Sequence, residues 1–180
     1  MSRVGKKIIT IPNQVTFNFD TANRVVLVRG PLGELKLEKV NRNISIDQTD
    51  NNLSIQVADA DDKFQRAIWG TTRALIFNLI EGVTTGFKKE LELNGVGYRM
   101  ELNNKLTLFV GFSHPVILDI PASIKLTLVK NKLSGESTDK HMLGDFFTTV
   151  HNIKPCEVYK HKGFKFPDRI YRKKVGKKGK

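Results

Sequence analysis

The side chains best suited to metal or nucleophilic chemistry in this sequence are four histidines, His114, His141, His151 and His161, and a single cysteine, Cys156. None is spaced as a metal ligand set, and Cys156 has no second cysteine with which to build a zinc site. Asp59, Asp61 and Asp62 would suit a hard cation, but they fall where a helix begins. There carboxylates cap free N–H groups and complement the helix dipole. Asn94-Gly95-Val96-Gly97-Tyr98 carries a G-x-G element of the kind that lets a backbone approach phosphate. A dinucleotide fingerprint continues into a helix, whereas Tyr98-Arg99-Met100-Glu101-Leu102 alternates like a strand, so a structural turn is expected. No serine sits in a G-x-S-x-G context and no carboxylate pair is placed for acid and base work. Nothing among these residues asks to be called catalytic.

A different chemistry is concentrated at the two ends. The chain holds 30 Lys and Arg against 18 Asp and Glu, a net charge of +12. Eleven of the basic residues lie between Lys154 and Lys180, against only Glu157 and Asp168, and Arg3, Lys6 and Lys7 open the chain. Residues 8–153 are balanced, with sixteen of each sign. Charge gathered this way points to a polyanionic partner met at the termini. In the closing segment Lys154, Lys160, Lys162, Lys165, Arg169, Arg172, Lys173, Lys174, Lys177 and Lys178 offer charge to phosphates. Tyr159, Phe164, Phe166 and Tyr171 offer faces that either stack on bases or pack back on the body. Gly163, Gly176 and Gly179 leave the backbone adaptable and Pro155 and Pro167 interrupt helix, so the segment is expected to order fully only on its partner. A DNA-bending protein or a polybasic membrane-surface protein would share such ends. Equal affinity for duplex DNA, or flotation with anionic vesicles, would mark those alternatives, and an enzyme acting on RNA would need a constellation that is not visible.

The elements behind these ends form a duplicated body. Residues 23–30 read NRVVLVRG and residues 104–111 read NKLTLFVG, an offset of 81 that also carries Leu37 onto Leu118. An offset of 80 carries Ile44 onto Ile124 and Leu53 onto Leu133. Strand-like alternation fills each block, as in Val15-Phe17-Phe19 and Ile124-Leu126-Leu128. Turn chemistry separates the strands at Gly30-Pro31-Leu32-Gly33, at residues 47–52 and at Asn103-Asn104, and Asn94–Gly97 suggests a hairpin or bulge. Helical spacing follows in residues 61–80, capped by Asp61 or Asp62, with Phe64, Ala67, Ile68, Thr71, Leu75 and Leu79 on one face. It recurs in residues 139–152, capped by Thr138 or Asp139, with Met142, Phe146, Thr149 and Ile153 on one face. Strand runs each followed by one helix predict an α+β fold: two tandem homologous units, each a small antiparallel sheet packed with one helix. The expected divisions are a first repeat over 1–82 with its basic arm, a second over 83–153, and a basic tail over 154–180.

No apolar run approaches the roughly 20 residues of a membrane helix, the start lacks a secretory h-region, and the lone cysteine fits a reducing compartment. The expectation is a protein that stays inside the cell.

Several stretches carry a resemblance to a known family. Ser2-Arg3-Val4-Gly5-Lys6-Lys7, Ile11-Pro12, Val28-Arg29-Gly30-Pro31-Leu32-Gly33-Glu34-Leu35 and Gly95-Val96-Gly97-Tyr98-Arg99 are similar to stretches of the large-subunit ribosomal protein six family. Lys154-Pro155-Cys156-Glu157-Val158-Tyr159-Lys160-His161-Lys162-Gly163 resembles its closing signature, K-P-P-E-P-Y-K-G-K-G, with Cys156 and Val158 in place of prolines and His161 in place of a glycine. The resemblance covers essentially the whole chain. It implies two homologous α+β units and no catalysis or cofactor. It also implies binding to large-subunit rRNA near the stalk base, close to where translational GTPases dock, among neighbouring ribosomal proteins. The implied contacts are the closing signature and basic tail, with Arg3, Lys6 and Lys7 as a lesser site, in a ribosome of the cytoplasm or of an organelle interior.

Overall fold

Period-two alternation becomes strand throughout the computed structural model, which describes residues 2–176. In the first unit, β2 (Thr16–Asp20), β3 (Val25–Gly30) and β4 (Gly33–Leu37) form an antiparallel sheet in that order. Gly30 pairs with Gly33 across the Pro31-Leu32 turn, and Gly33 takes φ +135°, which a side chain would resist. A second sheet has the order β1 (Ile9–Thr10), β6 (Asn52–Val57), β5 (Ile44–Thr49). Helix α1 (Lys63–Thr84) completes the unit, and Asp62 accepts from the N–H groups of Phe64 and Gln65 to cap it.

The second unit repeats this plan. Strands β8 (Arg99–Leu102), β9 (Lys105–Phe109) and β10 (Val116–Asp119) form one sheet. The other contains β11 (Ile124–Val129), β12 (Lys132–Ser137) and β7 (Phe87–Asn94). Helix α2 (Lys140–Ile153) is capped by Asp139, which accepts from His141 and Met142. Each unit has its own apolar core, the first around Val26, Val28, Leu53 and Ile76, the second around Leu91, Leu108, Leu133 and Phe147. The strands of a unit are thus shared between two small antiparallel sheets under one helix.

Some expectations about the elements are corrected. Helix α1 runs on through Thr84 and the units meet at Gly86 and Phe87, so the joint lies later than residue 82. Its buried face is Trp69, Thr72, Ile76, Ile80 and Val83, while Phe64, Ala67 and Thr71 of the expected face are exposed. Similarly α2 buries Leu143, Phe146, Phe147 and Val150 and leaves Met142 exposed. Apolar residues lie on more than one side of each helix, so spacing alone leaves its rotation open; Gly30 against Val83 and Gly135 against the Phe147 ring fix it. The Asn94–Gly97 turn is no hairpin, since β7 and β8 belong to different sheets.

The tail differs from a separate extension in that residues 154–174 are hydrogen-bonded onto the second unit. Residues Gly163–Lys165 form β13, which pairs antiparallel with the free side of β7 to give the order β11-β12-β7-β13. Phe164 and Phe166 are buried in the second core, and the segment belongs to the second unit.

Candidate nucleic-acid interface

The basic segment is assembled by its backbone. Phe164 donates its N–H to the Lys154 carbonyl at 2.8 Å, closing the intervening residues into a loop at the end of α2. Inside that loop Glu157 donates to the Lys162 carbonyl at 2.8 Å and His161 to the Glu157 carbonyl at 3.0 Å. Gly163 is required at the neck: its φ is +119°, and a Cβ there would lie 2.6 Å from the carbonyl oxygens of Lys154 and Pro155. His161 occupies the left-handed region at φ +55°, a conformation natural to the glycine of the family signature and costly for an L side chain. The tip so formed turns Val158, Tyr159 and Lys160 to solvent, Tyr159 being 50% exposed.

The following residues are pinned by aromatic contacts. Phe166 lies against the His151 ring, nearly parallel at 5.1 Å, with the Arg169 guanidinium 4.7 Å and the Lys89 ammonium 5.9 Å from its centre. Its N–H donates to the Tyr171 hydroxyl at 3.0 Å. Lys174 then donates its N–H to the Val158 carbonyl at 3.0 Å, so the Arg172-Lys173-Lys174 run is brought beside the loop tip. All three side chains are exposed.

The structure therefore sorts the expected contacts. Tyr159, Lys160, Arg169, Arg172, Lys173 and Lys174 are exposed, while Lys154 and Lys162 are half-buried beside them. Lys165 pairs with Glu92 across β13 and β7 at 3.5 Å, so its charge is answered within the protein. Tyr171 serves as a hydrogen-bonded anchor, and Phe164 and Phe166 are core residues. Lys177 and Lys178 lie outside the described residues. Cys156 is half-buried, and burial pushes its thiol up from the ordinary cysteine value.

Arg3, Lys6 and Lys7 belong to the first unit and are all exposed. Their arm is held on α1: a Cβ at Gly5 would lie 2.5 Å from the Trp69 ring, and Arg73 donates to the Lys7 carbonyl at 3.3 Å. Trp69 is in turn fixed by its indole N–H, which donates to the Ile55 carbonyl at 2.7 Å.

Two residues beside the tail went unnoticed in the sequence as parts of this surface. Tyr98 and the exposed Phe112 come from the β8–β10 sheet and its loops, and Lys154 stands 5.6 Å from the centre of the Phe112 ring. Nothing in local spacing joins Tyr98 or Phe112 to residue 154. Among the described residues no cluster of His, Cys, Asp or Glu could hold a metal ion, and no helix is long and apolar enough to cross a membrane.

Two tandem α+β units, the second bearing an exposed basic segment with an exposed aromatic tip, define a duplicated α+β protein. Comparison with known proteins agrees and is more specific. The family model described as ribosomal protein L6 matches residues 11–86 and 94–166, one match for each unit. Large ribosomal subunit protein uL6 of Dictyoglomus thermophilum is 44% identical over 182 residues, covering 100% of this chain and 99% of that one. The proteins of the same name from Staphylococcus epidermidis and Helicobacter pylori are 42% and 40% identical, each over 100% of this chain and 100% and 99% of their own. The chain belongs to the ribosomal protein L6 family, whose members are ribosomal proteins and not a class of enzymes.

Proposed function

We propose that this chain is a structural constituent of the large ribosomal subunit, in the cytoplasm, and that it binds large-subunit rRNA mainly through residues 154–174. Family membership supports the ribosomal role. The observation that carries the binding surface is the bond from Lys174 to the Val158 carbonyl, which gathers Tyr159, Lys160, Arg172, Lys173 and Lys174 on one exposed part of the second unit. Exposed cations neutralise phosphates and release their counterions, and an exposed ring adds a stacking face. Arg3, Lys6 and Lys7 provide a lesser contact from the first unit. The site on the subunit, by resemblance to the family, is the base of the stalk near the docking region of translational GTPases, with other large-subunit proteins as neighbours. No catalytic step is involved.

Sedimentation of an extract from the native source through a sucrose gradient in moderate salt tests the role. Stoichiometric co-migration with large subunits and whole ribosomes is expected. A protein found only at the top of the gradient would overturn it.

A further inference from the structure

An open groove of about 490 Å³ lies in the second unit between Tyr98 and the loop that begins at Lys154, with Cys156, Val158 and Lys162 among its walls. We propose that this groove receives a single unpaired nucleotide of the bound RNA, the base entering beside Tyr98 and the phosphate meeting Lys154 and Lys162. The inference rests on the RNA-binding reading above and adds a site to it.

Three observations support a nucleotide as the occupant. The volume falls within the roughly 300–1,000 Å³ usual for sites that take small ligand groups. The charge is complementary, because two lysines flank the groove and Glu157 is the one acid in its lining. The aromatic surface is fixed in advance: the Tyr98 ring is wedged between Gly95 and Gly111, whose Cβ positions would lie 2.8 Å and 3.2 Å from it. Phe112 is 48% exposed at the margin, with the Lys154 ammonium 5.6 Å from its ring centre. A rigid ring beside a cation can receive a base without losing side-chain freedom, and base edges of RNA are accessible chiefly where bases are unstacked. Gly95 of the Gly95-Val96-Gly97 turn acquires a purpose here. Gly95 makes room for the ring that a phosphate-binding loop would not need.

The test uses the full chain and two RNA hairpins of the same stem sequence, one fully paired and one carrying a single bulged 2-aminopurine. The bulged hairpin is expected to bind on the order of tenfold more tightly, with the probe's fluorescence changing on binding. Phe112→Ala and Val158→Trp, the second filling the groove without altering charge, should each reduce the ratio of bulged to paired affinity, which is the readout whatever happens to the paired hairpin alone, and should leave the melting temperature unchanged. Equal binding of both hairpins, or a preference unaltered in both variants, would overturn the groove and leave the basic surface standing. Failure of both hairpins to bind in low salt would overturn the groove together with the RNA-binding reading.

Discussion

At the scale of single residues, the four aromatics of the closing segment have separate duties. Tyr159 is the exposed one, so Tyr159→Ala should weaken RNA binding by roughly 1–3 kcal/mol and leave thermal stability unchanged. A lowered melting temperature with unaltered affinity would make Tyr159 a packing residue instead. His161 sits at φ +55° where the family signature has glycine. Relief of the left-handed strain, about 1–2 kcal/mol, exceeds the extra chain entropy of glycine, about 0.5–1 kcal/mol. His161→Gly should therefore raise stability by up to about 1 kcal/mol in a denaturant titration. The charged character of the segment around Tyr159 was legible from the sequence, because basic residues interleaved with aromatics announce a polyanion. Whether a given ring faced solvent was not, since that depends on β7 and α2, which supply the core that Phe164 and Phe166 enter.

At the scale of elements, β13 is the piece that makes a tail into a surface. Phe164 is fully buried, and its loss should cost about 3–5 kcal/mol as a cavity opens in the second core. Phe164→Ala is thus expected to lower the melting temperature, to admit protease near residue 163, and to weaken RNA binding although no charge is removed. Retained affinity in that variant would mean that the basic run binds as a free chain. The short Gly163–Lys165 strand is readable only in hindsight, from the alternation of Phe164, Lys165 and Phe166. Hairpins and caps were far clearer, because Pro31-Leu32, Asn103-Asn104, Asp62 and Asp139 act locally. Helix rotation was hidden because apolar residues lie on several sides of α1, and tertiary packing centred the buried face on Trp69, Ile76 and Ile80, with Ile68 and Leu79 at its margin and Phe64 exposed. A minor pH effect also belongs here. Lys88 lies opposite Glu136 across β7 and β12, and its hydrogen bond holds the Glu136 carboxyl below the usual carboxylate range. That contribution is present above the unfolded carboxylate's pKa and is lost as pH falls through the lower, folded one.

At the scale of the whole molecule, the duplicated body carries no net charge and its ends carry the excess. If about six cations of residues 154–174 meet phosphates, log affinity should fall against log salt with a slope of about −4 to −5. Replacing Arg172, Lys173 and Lys174 together by alanine should flatten the slope by about 2–3 units. An unchanged slope would move the contact elsewhere. The duplication itself was visible in the 80 and 81 residue offsets, and with it the α+β class. The sharing of each unit's strands between two sheets was not, because antiparallel pairing partners are set by three-dimensional closure rather than by spacing.

The pairing of β13 with β7 has a bearing on how a finished chain differs from an unfinished one. Until Gly163–Lys165 has been synthesised, β7 shows water a row of unpaired backbone groups beside an incompletely covered core. Such an edge recruits other strands, so a chain that stops short of β13 is adhesive, and the segment made after α2 is the one that closes the edge. Arg172, Lys173 and Lys174 follow that strand, so the closing of the edge and the display of these exposed cations depend on one stretch of chain.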